Sequence, residues 1–165
     1  MRLDGVLEDR GAWVTHGRCP IEKAMRVVGT RNAMLVMREA FYGTMRFDDF
    51  AERVGMSPAT TSANLKGLVE AGLLDKRAYR EEGERTRHEY VLTDSGRDLM
   101  PVVFGLFQWG EAHADAPTPL RLAHVDCNAP VRVEMRCADG HEPSDDQIAV
   151  RVDSFDQNLG APNRD

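Results

Sequence analysis

Sulfur and imidazole are strong metal donors, and this sequence places them in two short spacings, His124-x2-Cys127 and, after nine intervening residues, Cys137-x3-His141. Two thiolates and two ring nitrogens in paired spacing form a donor set that tetrahedral zinc accepts, so structural zinc is one expectation for these residues; no other cofactor is required. A plainer reading stands beside it. Cys137 continues the alternating apolar stripe of Val131, Val133 and Met135, and His124 continues that of Leu120 and Leu122, as buried side chains of short strands would. The third thiol, Cys19, lies next to Arg18 and directly before Pro20. A helix dipole and a neighbouring cation both favour the thiolate, which reacts with oxidants and electrophiles, so Cys19 is a candidate redox sensor. It also suits a small, partly buried helix cap. Three scattered cysteines are too few for a disulfide framework, which fits a reducing compartment.

A second group of residues suits polyanionic chemistry. Ser57, Thr60 and Ser62 carry hydroxyls for phosphates or base edges, Asn64 offers the donor and acceptor pair that matches adenine, and Ala59 leaves room for close approach. Arg46, Lys66, Arg80, Arg85 and Arg87 supply cations for a phosphate backbone.

These side chains need a scaffold, and the periodicity predicts one. Cys19–Val28 starts with proline and repeats Ile21, Ala24, Met25 and Val28 at helical spacing. Further helices are predicted over Asn32–Phe41 and Phe47–Val54, the latter stopped by Gly55. Ser57 as N-cap and Pro58 as first residue open another helix, running through Ala71 to Gly72. One side of it, with Thr61, Leu65, Leu68 and Val69, is core. The other, with Ala59, Thr60, Ala63, Asn64 and Gly67, is small and smooth. Strands Leu73–Tyr79 and Arg87–Leu92 flank a hairpin with Gly83 at its tip. A long helix is expected from Thr93 to about His113, kinked or started at Pro101. After a linker at 114–119, period-two alternation predicts three short strands, at Leu120–His124, Val131–Cys137 and Ile148–Val152, in a small antiparallel sheet ending in a frayed tail. The fold class is therefore mainly α, of the α+β type: a winged helix-turn-helix over residues 1–113 and a β-rich extension over 120–165. Short helix, turn, second helix and hairpin in that order place the second helix in a DNA major groove and the hairpin on adjacent backbone. The same topology also serves as a protein-interaction module, and Glu81, Glu82 and Glu84 at the hairpin tip count against tight phosphate contact there, the arginines around them balancing their charge.

The segments CPIEKAMRVVGTRNAMLVMREAFYGTMRFDDF, GMSPATTSANLKGLVEAGLLDKR and RHEYVLTDSGRDLMPVVFGLFQWG closely resemble the HxlR-type transcriptional regulators, a winged-helix group related to MarR. The resemblance covers about Cys19 to Gly110. It implies a homodimer built on the terminal helices, here through Leu99, Val103, Leu106 and Trp109 with Ile21 and Met25 of the first helix. It further implies that two recognition helices read a near-palindromic operator in double-stranded DNA, with repression as the expected outcome. Several members of that family sense quinones, aldehydes or hypochlorite at a cysteine matching Cys19. Where members often carry basic residues, this chain has Ala59 and Asn64, so binding should lean on the wing arginines and on DNA shape.

Charge distribution keeps this reading open. The chain of 165 residues carries a net charge of -6, but residues 13–100 hold 14 basic and 13 acidic side chains, whereas residues 101–165 hold 5 and 11. The acidity belongs to the C-terminal third, which could dock a protein partner or, through its cysteines and histidines, receive a metal or redox signal. Apolar residues at 42% and charged residues at 29% exclude a fully disordered chain. No apolar run is long enough to span a bilayer and the N-terminus lacks a secretory layout, so a cytoplasmic location without a membrane partner is expected. The sequence has no Gly-rich phosphate loop, Gly-x-Ser-x-Gly elbow or His-Glu-x-x-His pair, and an enzyme is not expected. Phe104, Phe107 and Trp109 recur at helical spacing, as dimer core or as the wall of a small-molecule pocket; the effector itself is not written in the sequence.

Overall fold

Helix-start and helix-stop residues act where the sequence puts them. In the computed structural model, which describes residues 1–15, 17–80, 86–114 and 116–152, the elements are β1 (Arg2–Leu3), α1 (Pro20–Val28), α2 (Arg31–Phe41), α3 (Phe47–Val54), α4 (Pro58–Glu70), β2 (Leu74–Tyr79), β3 (Arg87–Leu92), α5 (Asp94–Asp98), α6 (Met100–His113) and β4 (Ala149–Val150). Thr30 caps α2 by accepting the Ala33 N–H at 3.1 Å, Ser57 caps α4 by accepting the Thr60 N–H at 3.2 Å, and Thr93 caps α5 by accepting the Gly96 N–H at 2.9 Å. The helix expected from Thr93 onward is two helices: α5 ends at Asp98 with Leu99 as its cap, and Pro101 sits at the start of α6, where its missing N–H costs nothing. Among the described residues no helix is long and apolar enough to cross a membrane.

The chain divides into two compact units, Ala24–Val133 and Met1–Lys23 with Glu134–Asp165. The first is the winged helix. Phe50, Met37, Leu65, Val36, Leu68, Leu74 and Thr61 are its most deeply buried side chains. Burying Leu65 and Leu68 each contributes roughly 1.5–3 kcal/mol and orients α4, since only one side of that helix is apolar. Thr61 is tolerated there because its hydroxyl donates to the Ser57 carbonyl at 3.0 Å. α2 runs through the centre, against α3, α4, α6 and β3. At its end the buried Glu39 accepts from Arg38 at 2.6 Å and from the Thr44 hydroxyl at 3.3 Å. That hydroxyl in turn accepts from Arg53 of α3 at 3.3 Å. Thr93, between β3 and α5, ties both back to the end of α4 by donating to the Gly72 carbonyl at 2.6 Å. Gly96 is needed below it, because a Cβ there would lie 2.1 Å from the Leu73 carbonyl oxygen.

In the second unit β1 and β4 pair in parallel, Arg2 with Ala149 and Leu3 with Val150. Asp4 is held by Arg2 at 3.0 Å and by Arg151 at 2.8 Å. Leu7 is buried, with the Trp13 indole donating to its carbonyl at 3.1 Å. This pairing draws the first residues of the chain to its last described ones.

The expected three-stranded antiparallel sheet is corrected. Among the described residues its place is taken by a lone antiparallel bridge, Ala123 with Pro130, and by the parallel pairing of β4. The physical reason is exposure: Leu120, Val131 and Met135 remain 58%, 44% and 63% exposed, so the alternation has no layer to bury its apolar side, and Pro130 lacks the N–H a ladder needs.

Candidate nucleic-acid interface

The turn between α3 and α4 fixes the direction of α4. Gly55 closes α3 in the left-handed region at φ 71° and ψ 44°, and the Met56 N–H reaches back to the Ala51 carbonyl at 2.9 Å. This closure reverses the chain within two residues, and a side chain at position 55 would strain it. Ser57 then starts α4 at once. Phe50 and Val54 on α3 and Thr61, Leu65 and Leu68 on α4 are buried, which locks the two helices into one rigid pair.

The outward side of α4 presents Ser57, Ala59, Ser62, Ala63, Lys66 and Gly67, all exposed. No long side chain stands between the helix backbone and an approaching surface until Lys66. Thr60 and Asn64 are half-buried beside this strip. The structure ties up part of the expected hydrogen-bonding set. Ser57 and Thr60 share a hydroxyl contact at 2.9 Å, and the Asn64 amide donates to the Thr60 carbonyl at 2.9 Å. Lys66 faces Glu70 one turn on, at 3.6 Å. Ser62, Ala59 and Lys66 are thus exposed at the surface, while Asn64, half-buried and bonded to its own helix through one amide N–H, keeps its second N–H and its carbonyl oxygen for another partner.

β2 and β3 form the wing, in register from Leu74 with Leu92 to Tyr79 with Arg87. A third segment joins this sheet: Arg46 bridges to Glu89, and the Tyr90 N–H donates to the Met45 carbonyl at 2.8 Å. Arg46 therefore joins the start of α3 to the wing. Its guanidinium carbon lies 3.4 Å from the centre of the Tyr79 ring, a close cation–π stack that fixes where its charge sits. Around it opens a groove of about 520 Å³ lined by Arg46, Lys76, Arg87, His88, Asp48 and Tyr79 among others. Arg80 and Arg87 are exposed at the open end of the wing; Arg85 lies outside the described residues. Lys76, Arg77 and His88 were not singled out from the sequence. Their signal was the register: Lys76 and His88 lie on the same face of the hairpin as the buried Leu74 and Tyr90, while Arg77 stands opposite Glu89 and 3.9 Å from Asp75.

The residues expected at a dimer interface separate into two groups. Val103 is buried in the core of its own chain and Leu99 packs against that core, so these two are already used within the protomer, because the same α6 stripe must also seal α2. Leu106 and Trp109, 53% and 64% exposed, share an outward side with Val102, while Ile21 and Met25 of α1 are 73% and 53% exposed. Cys19 is half-buried, and its carbonyl accepts the Lys23 N–H that opens α1. Among the metal donors, His124 Nδ1 lies 3.3 Å from Cys127 Sγ, and His141 Nδ1 lies 3.4 Å from Cys137 Sγ. Both cysteines are exposed, which overturns the reading of Cys137 as a core thiol.

Comparison with known proteins supplies the context for this arrangement. Residues 27–118 match the family model of the HxlR-like helix-turn-helix. An uncharacterised HTH-type transcriptional regulator of Mycobacterium tuberculosis is 40% identical over 109 residues, covering 65% of this chain and 68% of that protein. The crystal structure of PA1607, described as a candidate transcription factor, superposes with a TM-score of 0.73 at 33% identity over 85% of this chain and 100% of its own. The redox regulator HypR in its oxidised form superposes with a TM-score of 0.54 at 26% identity over 59% of this chain and 100% of its own.

Proposed function

This chain belongs to the HxlR-like helix-turn-helix family of transcriptional regulators, whose members are not enzymes, and from that premise we propose that it acts as a homodimeric repressor. Each protomer lays α4 into a major groove and its wing on the flanking backbone. The observation that carries this reading is the two-sidedness of α4: Thr61, Leu65 and Leu68 are locked in the core, while the opposite side is a strip of small exposed residues beside a cation-bearing wing. A strip without bulk allows the helix backbone to approach base edges, and the cations of the wing neutralise phosphates.

The exposed apolar stripe Val102, Leu106 and Trp109 on α6 supports the dimer. Left in water, such a stripe costs free energy that a second copy recovers, and a two-fold dimer presents two recognition helices to a near-palindrome with half-sites about 34 Å apart. Seated over a promoter, that dimer blocks transcription. We also propose that Cys19 is the input thiol. Its place at the start of α1 and the likeness to a protein described as a redox regulator support this; oxidation there would reposition α1 and change operator affinity.

The test is a fluorescence-anisotropy titration of the protein against its own upstream DNA and against scrambled DNA at two salt concentrations. Tight, salt-sensitive binding to the first is expected. Arg87→Ala should weaken binding to both DNAs alike and lower the salt slope by about one. Equal affinity for both DNAs would sink the reading. A Cys19→Ser variant whose binding still falls on oxidation would remove Cys19 as the sensor.

A further inference from the structure

The loop at 137–141 has the construction of a metal-binding turn. Cys137 and His141 enclose three residues, closed at its base by the Cys137 N–H donating to the His141 carbonyl at 3.0 Å and inside by the Gly140 N–H donating to the Cys137 carbonyl at 2.9 Å. Gly140 makes the reversal in the left-handed region, at φ 83°. Below the turn Arg136 ties its two sides together, pairing with Glu134 at 3.1 Å and with Glu142, and donating to the Gly140 carbonyl at 3.3 Å. All three turn donors are exposed, and no apolar packing accounts for a thiol and an imidazole being held side by side.

We propose that this turn binds a thiolate-preferring divalent cation of the zinc class through Cys137 Sγ, His141 Nδ1 and the Asp139 carboxylate. The three residues offer donor atoms within 4.8 Å of one another. A zinc ion with a Zn–S bond of about 2.3 Å and a Zn–N bond of about 2.1 Å at a tetrahedral angle needs its sulfur and nitrogen about 3.6 Å apart. Cys137 and His141 stand at 3.4 Å, so the pair is close to ligating geometry without rearrangement. Asp139 closes the remaining gap by rotating an exposed side chain. A sulfur and an imidazole select zinc, cobalt or nickel over calcium or magnesium, which take oxygen donors. Binding releases the thiol proton and leaves a coordination position for water or another donor. A different turn also sets a thiol beside an imidazole: Cys127 Sγ lies 3.3 Å from His124 Nδ1, with Asn128 just beyond the pair in the left-handed region at φ 58° and its N–H donating to the His124 carbonyl at 2.8 Å.

The experiment uses the full chain, stripped of metal under reductant, then titrated with zinc and separately with cobalt. Elemental analysis after gel filtration should find zinc retained, and cobalt should give a thiolate charge-transfer band. Cys137→Ser should abolish the band, and His141→Ala should lower affinity by at least tenfold. His141→Cys should restore binding, because it replaces one zinc donor with another. Circular dichroism of each variant separates loss of the site from loss of the fold. A Cys137→Ser protein that keeps both the metal and the charge-transfer band would overturn the assignment, as would wild-type protein that loses all metal on gel filtration.

Discussion

The winged-helix unit and the stretch 134–152 hold their polar side chains by different means. On α4 the outward residues are positioned by the core behind them: Leu65 and Phe50 have no exposure at all, and the strip of Ser62, Ala63 and Lys66 faces out because the opposite side of the helix is committed to the interior. In residues 134–152 no described side chain is buried, and Cys137 and His141 are positioned by backbone hydrogen bonds and by Arg136 between two glutamates. Burial gives a site rigidity that survives most single changes on its surface. A hydrogen-bonded turn gives correct geometry with little stability of its own, the state in which a bound ion can contribute most.

The comparison breaks most visibly at Phe50. Phe50→Ala empties a site with no exposure and should cost about 3–5 kcal/mol of unfolding free energy, taking DNA binding with it. Cys137→Ser in metal-free protein should stay within about 0.5 kcal/mol of wild type. Urea denaturation of both variants decides the matter, and equal losses would mean that the turn is as deeply built into the fold as the core.

Thr44→Val sharpens the comparison on the polar side of the core. It removes the hydroxyl between Glu39 and Arg53 while keeping the side-chain volume. The buried Glu39 then loses one donor, and a cost of about 1–3 kcal/mol is expected. Thermal melts check it, and a neutral result would show that Arg38 alone satisfies that carboxylate. Ser57→Ala comes next, at about 1 kcal/mol, because it frees the Thr60 N–H at the start of α4. A loss of operator affinity much larger than this loss of stability would show that the Ser57 hydroxyl also touches DNA.

The sequence was most legible where local signals and the core agreed. Gly55, Ser57 and Pro58 mark a turn and a helix start on their own, and the apolar spacing of Thr61, Leu65 and Leu68 then decides which side faces in. Side-chain partners one turn apart were less legible: Asn64 was readable as a base contact, but nothing in its type shows that its amide would bond the Thr60 carbonyl. The C-terminal alternation misled because period two predicts strands only where another layer covers the apolar side. The β1 and β4 pairing was invisible, since two-residue strands at opposite ends of the chain leave no periodicity to read. For Cys137 and His141 the spacing was plain and the burial was not.

The smallest expected effect concerns Tyr90, where the wing sheet meets the core. Its ring packs edge-on against Phe50 at 6.3 Å, and burial pushes its hydroxyl above the usual tyrosine pKa. A folded-state pKa above the unfolded one means that the folded protein resists ionising this group. Its contribution to stability is therefore complete below the unfolded value of about 10 and is lost as pH rises through the folded value. Wild-type protein should lose urea resistance between about pH 8 and about pH 11, and Tyr90→Phe should lose less over the same interval, because it has no hydroxyl to ionise. Denaturation midpoints of the two proteins at both pH values give the difference directly. Parallel losses would place the alkaline weakness outside this hydroxyl and would leave the packing of Tyr90 against Phe50 as the whole of its role.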